Sequence, residues 1–114
     1  MLLSTAHRLD SGLRVRLRFP YTDDHRRVAD LYARLGLPLD EMGARRLLRF
    51  DWRRRRVVCA LAWIEGADVL VGLAASEPGG EPDAGLLVAD EAAAPGVGDL
   101  LRRALAEQAS RHVA

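Results

Sequence analysis

The chain contains no lysine, and all 17 of its basic residues are arginines. Against 16 acidic residues they leave a formal charge of +1, so no net field draws the chain toward nucleic acid or an anionic membrane. A single cysteine, Cys59, excludes an intrachain disulfide. Its place in the apolar run Val57-Val58-Cys59-Ala60-Leu61 reads as a small buried hydrophobe. The basic run Asp51-Trp52-Arg53-Arg54-Arg55-Arg56 carries one aromatic, too few for a base-stacking platform. His7, His25 and His112 have no metal-ligand spacing with one another or with Cys59, so no metal site is expected. No stretch reaches the roughly 18 apolar residues of a membrane helix. The first residues lack the basic region and long apolar stretch of a signal peptide, and a cytoplasmic protein is expected.

Apolar residues make up 49% of the 114, enough to bury a core within one domain. Residues 1–12 show no periodicity and read as an N-terminal arm, with the domain spanning 13–114. Leu13-Arg14-Val15-Arg16-Leu17-Arg18-Phe19 alternates strictly, which predicts a strand with one buried face and three arginines on the other. Pro20 ends it. Thr22 reads as a helix N-cap with Asp23 and Asp24 in the first turn. Val28, Leu31, Tyr32 and Leu35 then form one apolar stripe, and Gly36 stops the helix. Leu39 or Asp40 opens a second helix whose apolar contribution is Met42, Leu47, Leu48 and Phe50. Residues 57–64 and 69–75 are apolar runs joined by Glu65-Gly66-Ala67-Asp68, an antiparallel hairpin. After a Gly- and Pro-rich segment, Gly85-Leu86-Leu87-Val88-Ala89 forms a third run. Gly98 or Asp99 then opens a last helix with Leu100, Leu101, Ala104 and Leu105 inward. The order β-α-α-β-β-β-α belongs to the α+β class, with four strands in a mostly antiparallel sheet and helices on both sides.

That order ends in an apolar strand, then Ala93-Ala94-Pro95-Gly96-Val97-Gly98, then a helix through Asp99-Leu100-Leu101. It resembles the GNAT superfamily of acyl-coenzyme A-dependent N-acyltransferases, and within it the bacterial protein-lysine acetyltransferases. The resemblance runs from about residue 13 to the C-terminus and reaches the family's third helix. It implies a GNAT-like α/β sandwich lacking the family's C-terminal strands. It also implies acetyl-CoA as cofactor, held along the strand at Leu87, Val88 and Ala89 and at the turn by Gly96, Val97, Gly98, Asp99 and Leu100. Aligned on Gly96, Asp83 falls where the family carries a general base. The acceptor would be an amine, and a homodimer or a partner protein would cover the open edge of the sheet.

The physics of the turn stands apart from the family name. A helix N-terminus presents unpaired N–H groups and partial positive charge, and glycines let a diphosphate approach that backbone. Gly96 and Gly98 meet the second condition. Against it, Ala93 stands where the family has a polar or basic residue, and Pro95 removes a donor. Asp99 is expected to lay its carboxylate on the free N–H groups. Asp90 and Glu91 add negative charge, and no basic residue lies between Arg56 and Arg102. Two functions therefore compete. One is a GNAT-like acyltransferase moving an acetyl group from acetyl-CoA to an amine. The other is a non-catalytic interaction or regulatory domain that keeps the fold and has lost coenzyme A binding.

Overall fold

The computed structural model describes residues 5–48, 56–76 and 85–113, with the side chains of the last helix described to Gln108. Chain order is β1 (Ala6–Arg8), β2 (Arg14–Arg18), a 3-10 turn (Thr22–Asp24), α1 (His25–Arg34), α2 (Glu41–Leu47), β3 (Arg56–Ile64), β4 (Ala67–Ser76), β5 (Gly85–Ala89) and α3 (Val97–Val113). Among the described residues the strands form one five-stranded sheet in the order β1-β2-β3-β4-β5, with every pair antiparallel. The α+β class and the antiparallel sheet stand as read. The fifth strand is new: Ala6, His7 and Arg8, within the expected arm, pair with Arg16, Val15 and Arg14. Three residues are too few for alternation to show in a sequence.

The sheet has an apolar set on each side. Val15, Leu17, Val58, Ala60, Ala62, Val71 and Ala74 pack with Val97, Leu100, Leu101, Ala104 and Leu105 of α3. Val57, Cys59, Leu61, Leu70, Leu73, Ala75 and Val88 pack on the other side with Val28, Leu31 and Tyr32 of α1 and Ala44 of α2. This is why β3 and β4 read as continuous apolar runs: both of their faces are covered. Their hairpin turns at Glu65 (φ +50°) and Gly66 (φ +82°), the left-handed pair that a two-residue connection favours. Helix α1 ends with the Gly36 N–H on the Ala33 carbonyl and the Leu37 N–H on the Tyr32 carbonyl, Gly36 standing at φ +68°. That is the Schellman closure expected of this glycine. Met42 departs from expectation: it is 69% exposed, and Ala44 supplies the buried contact of α2. Phe50 lies outside the described residues.

A bulge in β4 shapes the sheet near its middle. Ala60 pairs with Gly72 and Leu61 with Leu70, which leaves Val71 as the extra residue. Val71 and Gly72 thus both face α3, where a Cβ on Gly72 would lie 2.6 Å from Leu101 Cδ1. The carbonyls beside the bulge have donors outside β3. The Leu70 carbonyl accepts from the Arg34 guanidinium, and the Val71 carbonyl from the Asp90 N–H at 2.8 Å.

Asp24 corrects the sequence reading more deeply. It lies in the 3-10 turn, fully buried, and does not act as an exposed first-turn acid. Its carboxylate accepts two bonds from Arg18 (2.6 and 2.9 Å), one from the Tyr21 N–H (2.6 Å) and one from Arg27 (3.1 Å). Burial alone would push its pKa up. The Arg18 hydrogen bonds, the Tyr21 amide and the charges of Arg18 and Arg27 outweigh that and hold it below the usual carboxylate value. The cluster joins β2 to the start of α1.

Asp24→Ala leaves the Arg18 guanidinium, 15% exposed, without its counterion, and is expected to destabilise the fold by about 3 kcal/mol in urea denaturation. Because the folded state holds the Asp24 pKa below its unfolded value, this contribution is complete at neutral pH. It disappears as pH falls below about 4. The stability difference between wild type and variant should therefore be flat near pH 7 and shrink in acid.

Candidate functional site

The connection from β5 to α3 begins with two carboxylates. Asp90 is buried: its Oδ1 accepts the Ala93 N–H at 3.1 Å and its Oδ2 the Arg34 Nε at 3.3 Å, while its carbonyl accepts the Ala94 N–H. Pro95 and Gly96 then turn the chain, with Gly96 at φ +93°, into a helix that starts at Val97, ahead of the Gly98 or Asp99 read from sequence.

Glu91 closes this turn from inside. Its Oε2 accepts the Gly96 N–H at 2.7 Å and its Oε1 the Gly98 N–H at 2.9 Å. The Val97 N–H donates to the Ala94 carbonyl, and Pro95 has no N–H to offer. The two glycine amides that a diphosphate would use are both held by a side chain of the same chain. Each bond is charge-assisted, and the carboxylate sits at the positive end of α3. Gly98 makes the seat possible, since a Cβ there would lie 2.7 Å from Glu91 Oε1.

Asp99, expected to occupy these amides, does not. It is exposed and pairs with Arg102 at 3.2 Å one turn along the helix. The amides that Asp99 could have reached are taken by Glu91 from the turn before the helix. Leu87 and Ala89 pack toward α3, and Val88 toward α1, so Leu87, Val88 and Ala89 face no common site with their side chains. Val97 and Leu100 have their side chains buried in the core beneath the turn, so neither offers a side-chain contact there. Asp83 lies outside the described residues.

The sequence places no arginine between Arg56 and the turn, but the fold brings Arg8 there, beside Arg102 and Arg103 of α3. His7, Arg8, Leu9 and Asp10 meet Pro95, Gly96, Asp99, Leu100, Arg102 and Arg103 around one shallow groove. Leu9 approaches Gly96 directly, its Cδ2 lying 3.9 Å from where a Cβ would stand. The short strand β1 delivers Arg8, and a helical turn delivers Arg102 and Arg103. Asp10 and Asp99 lie among them, and Asp99 already holds Arg102.

Cys59 sits in the sheet core under α1. Burial pushes its thiol up to about 12; the Asp24 charge adds to this and Arg18 opposes it. Among the described residues no group of three or more His, Cys, Asp or Glu could hold a metal ion. No described helix is long and apolar enough to cross a membrane.

Two outcomes follow from this geometry. Glu91→Ala removes both bonds that close the turn and should lower stability by about 1 kcal/mol, the usual range for a helix cap, read as a reduced urea midpoint at unchanged slope. Cys59 should resist a thiol reagent at pH 8 in the native protein and react promptly once the chain is unfolded in denaturant; rapid native labelling would contradict its burial.

Scans against family models, curated proteins and solved structures give no match for this chain.

Proposed function

We propose that this chain is a GNAT-like domain that acts as a binding module and has given up acyl transfer. The observation that carries this reading is the Glu91 carboxylate on the Gly96 and Gly98 amides. An acyl-CoA diphosphate needs the same two donors. To take them it would have to displace Glu91, forfeiting about 1 kcal/mol of capping and so about fivefold in affinity. The displaced carboxylate would still stand next to the ligand and repel it. The acyltransferase reading also relies on Asp83 as general base, in a segment outside the described residues.

A binding role fits the open side of the sheet. Strand β5 has β4 on one side and, among the described residues, no strand on the other. Its five residues, Gly85-Leu86-Leu87-Val88-Ala89, include no charge and no proline, the usual devices that keep an edge from pairing. The opposite edge, β1, is three residues long and ends in Arg8. A second copy of the chain or a partner protein covering β5 would satisfy its outward N–H and C=O groups.

The test is a thermal melt with acetyl-CoA and with free coenzyme A at millimolar concentration. A ligand that binds the native state at about a hundred times its Kd stabilises by about 2.7 kcal/mol, a rise of several degrees. The proposal expects no rise for the wild type. A clear rise with either ligand overturns it and returns the chain to the acyltransferases.

A further inference from the structure

Strand β2 presents Val15 and Leu17 to α3, so Arg14, Arg16 and Arg18 share the face on which α1 and α2 lie. Those helices cover only part of that face. Helix α1 packs on β4, and among the described residues no helix covers the half over β1 and β2, where Ala6, Arg14 and Arg16 are exposed. A groove runs along it, lined at one end by Arg14, Arg16, Leu61, Trp63 and Asp68. It continues past Arg18 and Asp68 to Tyr21, Asp23 and Arg27.

Two properties set this groove apart. Trp63 and Tyr21, at its two ends, are 67% and 61% exposed, although a tryptophan and a tyrosine in a folded chain are ordinarily well covered. The arginines also divide into two kinds. Arg18 and Arg27 are neutralised by Asp24. The side chains of Arg14 and Arg16 make no hydrogen bond or ion pair with the described residues.

We propose that this groove binds an extended acidic polypeptide segment, whose carboxylates on alternate residues meet Arg14 and Arg16 between Trp63 and Tyr21. Alternate side chains of an extended chain repeat at about 7 Å, the spacing at which β2 sets its own arginines, so the two rows match. A guanidinium takes a carboxylate bidentately, and Trp, Tyr and Arg are the side chains that most often anchor protein interfaces. A single-stranded nucleic acid fits less well. Its uniform charge would meet Asp68 and Asp23 on the groove walls, whereas a polypeptide can set a neutral or basic residue there. The Tyr21 ring already carries the Arg18 guanidinium on one face, 4.0 Å from its centre, which removes it as a stacking surface on that side. This inference supplies the binding module with a partner class, and it rests on a face of the sheet opposite α3. Its failure would leave the Glu91 reading untouched, and a coenzyme A response would leave this groove untouched.

The experiment is fluorescence anisotropy with a labelled decapeptide carrying Glu at two alternate central positions and Ala elsewhere, at low salt and with Tm checked for each variant. Arg14→Glu combined with Arg16→Glu should weaken binding about tenfold or more. The same charge change placed elsewhere, Arg45→Glu with Arg46→Glu on α2, should leave it within about twofold. If the charge reversal disturbs folding, Arg14→Gln with Arg16→Gln reads the same contacts. Absence of peptide binding to the wild type, equal loss in both double variants, or tighter binding of an oligothymidylate of equal charge would each overturn the proposal.

Discussion

Two consecutive carboxylates, Asp90 and Glu91, tie the end of β5 to a helix on each side of the sheet. Successive residues leaving a strand point to opposite faces, and each carboxylate serves a different one. Asp90 reaches Arg34 in the last turn of α1, and its N–H donates to the Val71 carbonyl, one step beyond the Gly72–Ala89 pair of β4 and β5. Glu91 reaches the first turn of α3. The bulge, the end of α1 and the start of α3 are thus fixed by two residues at the end of β5. Both carbonyls beside the bulge are satisfied, Leu70 by the Arg34 guanidinium and Val71 by the Asp90 N–H.

The same arrangement explains why the glycine turn is intact while its expected ligand has a rival. Gly96 provides the left-handed backbone and Gly98 the absence of a Cβ, which are the features a phosphate would require. A carboxylate needs them too. A glycine-rich turn at a helix N-terminus therefore specifies an anion without specifying whose anion it is. In this chain the anion is internal.

Much of the architecture was legible in the sequence because its signals are local. Strict alternation marked β2, Glu65-Gly66 marked the hairpin, and Gly36 marked the end of α1. What escaped depends on distance in space. Three residues of β1 carry no period, yet they add a strand and bring Arg8 and Leu9 to the turn. Asp24 looked like a first-turn acid because nothing in its neighbourhood announces that Arg18, across the Phe19-Pro20 bend, will fold back on it. Asp99 looked like the natural occupant of the turn by adjacency. Glu91, five residues ahead of Gly96, is better aimed, and an acid that far before a Gly-x-Gly pair is the signal that would have found it. Asp83 lies outside the described residues, so the candidate base has no geometry to set beside its sequence position. The arginine row of β2 was legible as a solvated face. Its division into neutralised and free members appears only once Asp24 is seen to claim Arg18 and Arg27.

The central claim is that Glu91 occupies the anion seat of α3 and keeps external phosphates out. The most direct measurement follows the backbone amides of Gly96 and Gly98 by NMR while coenzyme A is added. The account predicts that both amides are protected from hydrogen exchange in the free protein, lose that protection in Glu91→Ala, and do not shift in the wild type on titration with coenzyme A. Saturable shifts of both amides in the wild type would contradict it.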